Sequence, residues 1–317
     1  MRLATYSPAL SRPGPGLALA AIEGGKDRQV EAVLGVIAMA HPDILLLTDL
    51  DWDFRAEALR ALQARLRARG LDYGYFFAPQ PNTGIDTGFD IDGNGRRGEA
   101  RDAQGYGRFT GQHGLALLSK VPIGATRDFS AFLWRDLPGA QIAGARLPAG
   151  AEHVQRLSTS AHWDVEITTA SGPLHLWAFA ATPPVFDGPE DRNGRRNADE
   201  IGFWRRYLES ALPAPPTAPF VLIGKANLDP ERGEGQHAAI AELLTDPRLQ
   251  DPAPTGPGAP AAAPLATANF AGGPGPLRLD VILPAAGLRV TGSGVIWAEP
   301  AALGSDHRLV FVDIALP

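Results

Sequence analysis

The sequence contains no cysteine, no run of basic residues and no long uninterrupted apolar segment. Without cysteine, disulfide bonds and thiolate metal sites are both excluded. Proteins that bind nucleic acid non-specifically usually carry a basic face, so the formal net charge of −6 disfavours bulk DNA binding while leaving a local patch open. No segment approaches the roughly 20 apolar residues that span a bilayer, so no membrane association is expected.

Residues 1–20 also lack a charged segment followed by an apolar one, so no signal peptide is visible. The chain as written is expected to be cytoplasmic, or secreted or periplasmic if it is a mature form. What the sequence has in abundance is glycine and proline, at 36 and 29 residues, which predicts many loops and limited helix. No linker divides the chain, and we predict a single domain over residues 1–317.

Apolar patterns predict strands interleaved with helices. Continuous apolar runs and one hairpin predict strands at 44–47, 114–118, 165–169, 174–179, 220–223, 279–283 and 309–314. Apolar residues at helical spacing predict helices over 27–40, 54–69 and 197–212. The remaining long segments are predicted loops, namely 8–25, a polar insertion over 78–112, and a Pro/Ala/Gly segment over 251–276. This order predicts an α+β fold with two packed sheets and helices outside them.

Two short motifs follow or precede predicted strands. The strand at 220–223 continues into Gly224, Lys225 and Asn227, and Ser305-Asp306-His307 precedes the last strand. A strand ending in Gly-Asp-x-Asn and a Ser-Asp-His tail resemble the signature of the endonuclease/exonuclease/phosphatase family, whose members are metal-dependent phosphoesterases. Two longer segments, Gly88 to Gly95 and Thr182 to Gly194, resemble a bacterial branch of that family.

The resemblance covers essentially the whole chain. It implies a four-layer α/β/β/α sandwich of two mostly antiparallel sheets, the DNase I-like fold, with a site that binds Mg²⁺ or Mn²⁺. Asp306 and His307 match the final pair of the motif, and Asp280 matches the aspartate that holds the catalytic histidine. Asn227 matches an amide that orients a phosphate oxygen or the attacking water. An isolated Asp-His pair is usually structural, but within this motif we expect it in the ancestral pocket.

The chain departs from the family pattern at four pocket positions: Ser7 replaces an asparagine, Asp49 a glutamate, Ala180 a histidine and Lys225 the aspartate. A lysine is positively charged at neutral pH, so Lys225 cannot act as the base that the aspartate supplies. Its ammonium instead is predicted to neutralise the acidic groups around it and to compete with Mg²⁺. Asp49 either keeps a metal role or pairs with a nearby cation, and Ser7 is either a pocket hydrogen-bonding group or a plain strand-end serine.

Other polar residues are candidates for ligand binding. We expect His162 near the mouth of the pocket, while Arg192 and Asn193 belong to a loop that either faces substrate or bonds to itself. In the insertion, Asp90, Asp92 and Asn94 supply oxygen atoms at the spacing of a calcium loop. The acid at the twelfth position is missing, so the shell would need Asp86 or Asp102; the alternative is a plain cluster of Asx and Gly turns.

Three hypotheses for function follow. The first is a catalytically impaired phosphoesterase homologue, a pseudoenzyme, because the changes cluster in the pocket. The second is an active metal-dependent phosphodiesterase or phosphatase that uses Asp306, His307 and Asn227. The third is a non-catalytic binding protein whose loops over 78–112 and 251–276 contact a protein partner. The ligand is expected to be a phosphate-containing small molecule or a nucleic acid, and the protein a monomer.

Overall fold

A computed structural model describes residues 1–316, which fold into two large sheets and one short hairpin with helices outside them. The strands are β1 Arg2–Tyr6, β2 Ile44–Leu50, β3 Tyr75–Phe77, β4 Gly114–Ser119, β5 Ile123–Asp128, β6 His162–Thr169, β7 Gly172–Ala180, β8 Phe220–Lys225, β9 Ala268–Phe270, β10 Gly275–Leu277, β11 Asp280–Pro284, β12 Arg289–Val295 and β13 Val310–Ala315. The helices are α1 Leu17–Gly24, α2 Arg28–Ala40, α3 Glu57–Arg67, α4 Arg192–Leu208, α5 Ala238–Leu244 and α6 Ala301–Gly304.

Each large sheet has one parallel pair among otherwise antiparallel neighbours. The first sheet has the order β12-β13-β1-β2-β4-β3, and β1 and β2 are its parallel pair. The second has the order β11-β8-β7-β6-β5, and β7 and β8 are its parallel pair. A parallel pair needs a crossover, which α1 and α2 supply in the first sheet and α4 supplies in the second. The prediction of two mostly antiparallel sheets in an α+β fold is confirmed.

Three apolar layers hold the sandwich together. Helices α1, α2 and α3 cover the outer face of the first sheet, and α4 and α5 cover that of the second. Between the sheets, Leu46 of β2 and Val312 of β13 pack in the same cluster as Trp163, Leu176 and Val221 of the second sheet. The central strands are therefore buried on both faces, which explains their continuous apolar runs. No helix within residues 1–316 combines the length and apolar character needed to traverse a bilayer.

The structure corrects some predicted boundaries. Residues 17–24 form α1 inside a segment predicted to be a loop, because Gly16 and Gly25, at φ 79° and 65°, let the chain enter and leave a short helix between them. Segment 251–276, predicted to be a loop, contains β9 and the start of β10, which pair with each other as a short hairpin. Helix α4 begins at Arg192, five residues before its predicted start, because its first turns are polar and lack the apolar spacing that marks its core-facing part.

Candidate functional site

The predicted pocket residues meet at one edge of the sandwich. Strands β1, β2, β7 and β8 end there, and β4, β11 and β13, which run antiparallel to their neighbours, begin there. We call this edge the site edge. β1 of the first sheet lies against β8 and β11 of the second, so side chains from the ends of both sheets reach one another.

Asp280 and His307 form a buried pair at the site edge. Asp280 is 0% exposed, and its Oδ2 accepts a hydrogen bond from His307 Nδ1 at 2.8 Å and another from Thr267 Oγ1 at 2.8 Å. Because a carboxylate only accepts, Nδ1 of the imidazole carries the hydrogen and Nε2 is left available. The ring of Phe270 stands edge-on to His307, with centroids 5.7 Å apart. The orientation of this imidazole is therefore fixed on two sides.

Lys225 is the last residue of β8 and lies in register between two pocket positions. Its strand neighbours are Asp280 on β11 and Ala180 on β7. Its Nζ donates a hydrogen bond to Ser7 Oγ at 3.2 Å, so the ammonium points across to the end of β1 in the other sheet. Ser7 is 2% exposed and its carbonyl oxygen accepts from Ser305 Oγ at 2.6 Å. The lysine thus lies within the pocket, partly buried, and not on the outer surface.

Asp49 near the end of β2 is held by a histidine that the sequence did not indicate. His113 Nδ1 lies 2.8 Å from Asp49 Oδ1, because Gly114, which follows His113, pairs with Leu50 across the antiparallel strands. Burial would raise the pKa of Asp49, but the hydrogen bond from His113 and the positive charge of Lys225 outweigh it. The pKa of Asp49 is therefore lowered, which keeps the carboxylate ionised. The predicted pairing of Asp49 with a nearby cation fits this arrangement.

Asn227 lies two residues beyond Lys225 in a left-handed backbone conformation, with φ 53°. Its Nδ2 donates to the carbonyl oxygen of Ala181 at 2.7 Å, which ties the end of β8 to the end of β7. Below it, Asn197 of α4 donates to the carbonyl oxygens of Thr182 and Ala226 at 2.7 and 2.8 Å. Helix α4 therefore fixes the part of the site edge that carries Asn227.

Asp306 differs from its neighbour His307, because it is exposed. Its carbonyl oxygen accepts from the backbone of Asn269 at 2.9 Å, whereas its carboxylate has no hydrogen bond or ion pair within residues 1–316. Hydrogen bonds and strand pairing therefore bring together four predicted residues: Ser7, Lys225, Asp280 and His307. Asp49 lies near enough to feel the charge of Lys225 but is not bonded to it.

Three residues predicted to bind ligand instead form hydrogen bonds within the protein. His162 is 1% exposed, its Nδ1 lies 2.9 Å from Ser158 Oγ and its Nε2 lies 2.9 Å from the carbonyl oxygen of Glu200. Its expected position at the mouth is wrong, because the ring lies in the core, stacked on Trp204. Burial lowers the pKa of His162 to about 4, so the ring is neutral.

Arg192 and Asn193, predicted to lie in a loop, form the first turn of α4 and bond to the segment before it and to its neighbours. Arg192 Nε donates to the carbonyl oxygen of Ala145 at 3.1 Å, and Asn193 Nδ2 donates to that of Val185 at 2.7 Å. The backbone N–H of Asn193 is also bonded to Asp187. Of the two alternatives for this loop, these contacts favour the self-bonded one.

The insertion brings three carboxylates together. Ligand atoms of Asp90, Asp92 and Asp102 lie within 4.8 Å of one another, and no other group of three His, Asp or Glu ligands meets this condition in residues 1–316. The oxygens of Asp102 already accept from the backbone N–H groups of Ile91 and Glu99, at 2.7 and 3.1 Å. Asp90 likewise accepts from the backbone of Asn94 and Gly95, at 3.1 and 2.8 Å. These bonds to backbone N–H groups hold the carboxylates together and account for the cluster without an ion.

The site edge offers a poor set of donors for a divalent cation. Mg²⁺ prefers several oxygen ligands near 2.1 Å in octahedral geometry. Here Asp49 already accepts a hydrogen bond from His113. Among the described residues, the ligand atoms of Asp49, Asp306 and His307 do not lie close enough together to hold one ion. Lys225 adds a positive charge where the family pattern has a carboxylate. The residues present therefore do not fit the metal that the family resemblance implies.

Two residues of the site were missed at the sequence level. His113 precedes β4, and only the antiparallel pairing of β4 with β2 reveals that it lies beside Asp49. Thr267 lies in the low-complexity segment, yet it is 0% exposed and also accepts from the backbone of Leu279 and Asp280, at 2.9 and 3.0 Å. The available signal in the sequence was the position of Thr267, a single polar residue that follows a Pro/Ala-rich run and precedes β9.

The fold agrees with comparisons to known proteins. An endonuclease/exonuclease/phosphatase family protein from Beutenbergia cavernae superposes with TM-score 0.63 at 15% identity, covering 100% of this chain and 71% of that one. Sphingomyelinase C from Streptomyces griseocarneus superposes with TM-score 0.55 at 17% identity, covering 98% of both chains. A Staphylococcus aureus beta toxin mutant with bound magnesium ions superposes with TM-score 0.54 at 12% identity, covering 98% of both chains.

At these identities the superpositions establish the fold alone, and no curated protein matches the sequence. The family itself rests on the sequence model of the Endonuclease/Exonuclease/phosphatase family, which matches residues 22–307 and so spans most of the chain. The match includes Lys225, Asp280 and His307, the residues that meet at the site edge. The chain therefore belongs to the endonuclease/exonuclease/phosphatase family.

Proposed function

We propose that this chain is a family member whose metal-dependent phosphoester hydrolysis is impaired, a pseudoenzyme that keeps the fold and the pocket. The observation that carries the proposal is the position of Lys225, in register between Asp280 and Ala180 with its ammonium bonded to Ser7. A fixed cation at this point opposes binding of a divalent ion and cannot take a proton from water. Loss of groups that act on protons or charge costs roughly 10²- to 10⁴-fold each.

The direct test is hydrolysis of bis-p-nitrophenyl phosphate and of duplex DNA with Mg²⁺ or Mn²⁺. Wild type is expected to give no turnover above buffer. The variant Lys225→Asp combined with Ala180→His restores two groups of the family pattern, and we expect it to bind Mn²⁺ in calorimetry and to gain measurable hydrolysis. Robust wild-type turnover that His307→Ala abolishes would show the proposal to be wrong.

One observation favours an active hydrolase as the alternative. The pair of Asp280 and His307 is intact at 2.8 Å, and Asn227 is held close by. With Asp306, these residues would act on a phosphodiester or phosphomonoester. Sphingomyelinase C, an enzyme by its name, has a similar fold. This alternative requires tight divalent binding near Asp49 in the wild type, and calorimetry with Mn²⁺ therefore separates the two hypotheses.

The cofactor and partner predictions stay open to test. A related fold carries magnesium ions in the Staphylococcus aureus beta toxin mutant, but in this chain magnesium or manganese is expected only after Lys225 is replaced. Calcium binding by Asp90, Asp92 and Asn94 stays a prediction from the sequence. A protein partner that contacts the loops over 78–112 and 251–276 also stays a prediction. Its test is a pull-down, in which deletion of either loop from a protein that still folds should abolish binding of the partner.

A further inference from the structure

The ammonium of Lys225 has unused hydrogen-bonding capacity. A lysine carries three N–H donors, and within residues 1–316 the single hydrogen bond of Lys225 goes to Ser7 at 3.2 Å, a long one. The lysine is partly buried at the end of β8. A partly desolvated ammonium with free donors favours an acceptor of negative charge beside it.

The carboxylates of the pocket do not supply that acceptor. Asp49 is bonded to His113 at 2.8 Å, and Asp280 is bonded to His307 and Thr267. No carboxylate within residues 1–316 forms an ion pair with Lys225, whereas each of these two lies 2.8 Å from the Nδ1 of a histidine. Asp280 Oδ1 is buried without a partner among the described residues, and the charge of Lys225 acts on Asp49 without a hydrogen bond between them. None of these carboxylates accepts a hydrogen bond from the ammonium, so its remaining donors are left for a ligand.

Further donors lie around the ammonium. Asn227 uses one N–H of its amide for Ala181 and keeps the other. His307 is 8% exposed, and its Nε2 has no partner among the described residues while its Nδ1 is fixed by Asp280. Asn227 follows Lys225 by two residues in the chain, and His307 is bonded to Asp280, the strand neighbour of Lys225. A largely buried imidazole, whose Nε2 has no partner among the described residues, therefore lies in the same pocket as the ammonium.

We propose that this pocket binds the phosphate group of a phosphoester without a divalent metal, with Lys225 as the cation that receives it. The proposal rests on the proposed function, because both place the lysine in the pocket of the family. It goes further in giving the pocket a binding mode that needs no metal ion. Binding is non-covalent, and its strength is expected to fall as salt screens the charge of Lys225.

The chain offers a site-resolved test, because it has three lysines, Lys26, Lys120 and Lys225. Reductive methylation with ¹³C-formaldehyde keeps the charge of each lysine and one of its three N–H donors, and gives each lysine a separate NMR signal. In EDTA, titration with inorganic phosphate, phenyl phosphate or diphenyl phosphate is expected to shift the Lys225 signal saturably and to leave those of exposed Lys26 and of Lys120, bonded to Asp43, in place. Calorimetry should then show at least a tenfold loss of affinity in Lys225→Met and none in Lys26→Met.

Saturable binding of the monoester, the diester or inorganic phosphate, lost in Lys225→Met, supports the proposal and identifies which phosphate the site prefers. Equal affinity in Lys225→Met, equal shifts at all three lysines, or binding that appears only after Mg²⁺ is added each overturns it. The NMR titration of the wild type needs no variant, so a misfolded Lys225→Met leaves the test intact. Failure here is distinct from failure of the proposed function, which requires wild-type hydrolysis with Mg²⁺ or Mn²⁺.

Discussion

The charges of this pocket, and of the core behind it, depend on a few single side chains. At the site edge, carboxylates and imidazoles are matched in pairs, Asp49 with His113 and Asp280 with His307. Lys225 stands outside these pairs, so we expect its replacement alone to alter what the pocket can bind. A third histidine, His162, lies in the core behind the site, and its hydrogen-bonding partners among the described residues, the Ser158 hydroxyl and the Glu200 carbonyl, carry no charge.

His162 makes stability depend on pH in a direction that the structure fixes. Burial lowers its pKa to about 4 in the folded state from 6.5 in the unfolded chain. Between these values the unfolded chain binds a proton and the folded one does not, so stability is lost as pH falls through this window, by up to roughly 3 kcal/mol. Glu200 acts in the opposite direction, because burial raises its pKa to about 7.

The comparison of His162→Gln with wild type isolates the histidine, since Glu200 is common to both. We expect the variant to be less stable than wild type at pH 7, where the neutral ring is well bonded. This difference should shrink as pH falls from 7 to 4, because glutamine does not titrate. Urea unfolding at several pH values measures it. A difference that stays constant over this range would contradict a neutral, buried His162.

Whole elements place the site, and their sequence explains how much could be predicted. The strands were predictable, because burial on both faces demands continuous apolar runs, as in β2 and β8. Their ends were less so, since the hydrogen-bond ladder continues through polar residues such as Asp49 and Lys225. His113 could not be predicted, because its contact with Asp49 depends on the pairing of β2 with β4. Helix α1 was missed because its apolar stretch is short and lies between glycines.

Contact between β7 and β8 requires a glycine immediately before Lys225. A Cβ at Gly224 would lie 2.1 Å from the carbonyl oxygen of Phe179 on β7, and backbone atoms cannot move aside cheaply. We expect Gly224→Ala to destabilise the protein by about 3 kcal/mol, as overpacking does, and to displace Lys225 from Ser7. Gly287→Ala is the matched control, because a Cβ there meets nothing within 4 Å and φ lies outside the left-handed region.

The urea midpoint measures both glycine variants. A large fall is expected for Gly224→Ala, together with a shift of the methylated Lys225 signal. Little change is expected for Gly287→Ala, or a slight gain from the reduced freedom of the unfolded chain. Equal midpoints for the two variants would mean that β7 and β8 separate at little cost, and that the position of Lys225 does not depend on their close approach.

On the scale of the whole molecule, the site edge lies across two sheets that share one apolar layer. Ser7 follows a strand of the first sheet and Lys225 ends a strand of the second, so their contact exists only while the sheets stay packed. The family match over residues 22–307 was foreseeable from the motifs, since they occur from the insertion to the C-terminal tail. The hydrogen bond from Lys225 to Ser7 between the sheets was not, because it depends on side-chain reach across the layer.

The shared layer predicts that residues 1–317 unfold as a single domain. Leu46 of β2 is fully buried and packs in the cluster that joins the two sheets. Leu46→Ala should therefore lower the free energy of unfolding by about 2 to 5 kcal/mol in both sheets. Hydrogen exchange followed by mass spectrometry measures it in peptides that cover 44–50 and 220–225. Met39→Ala on the exposed face of α2 is the control and should change neither peptide. A loss confined to 44–50 would mean that the two sheets belong to separate cooperative units.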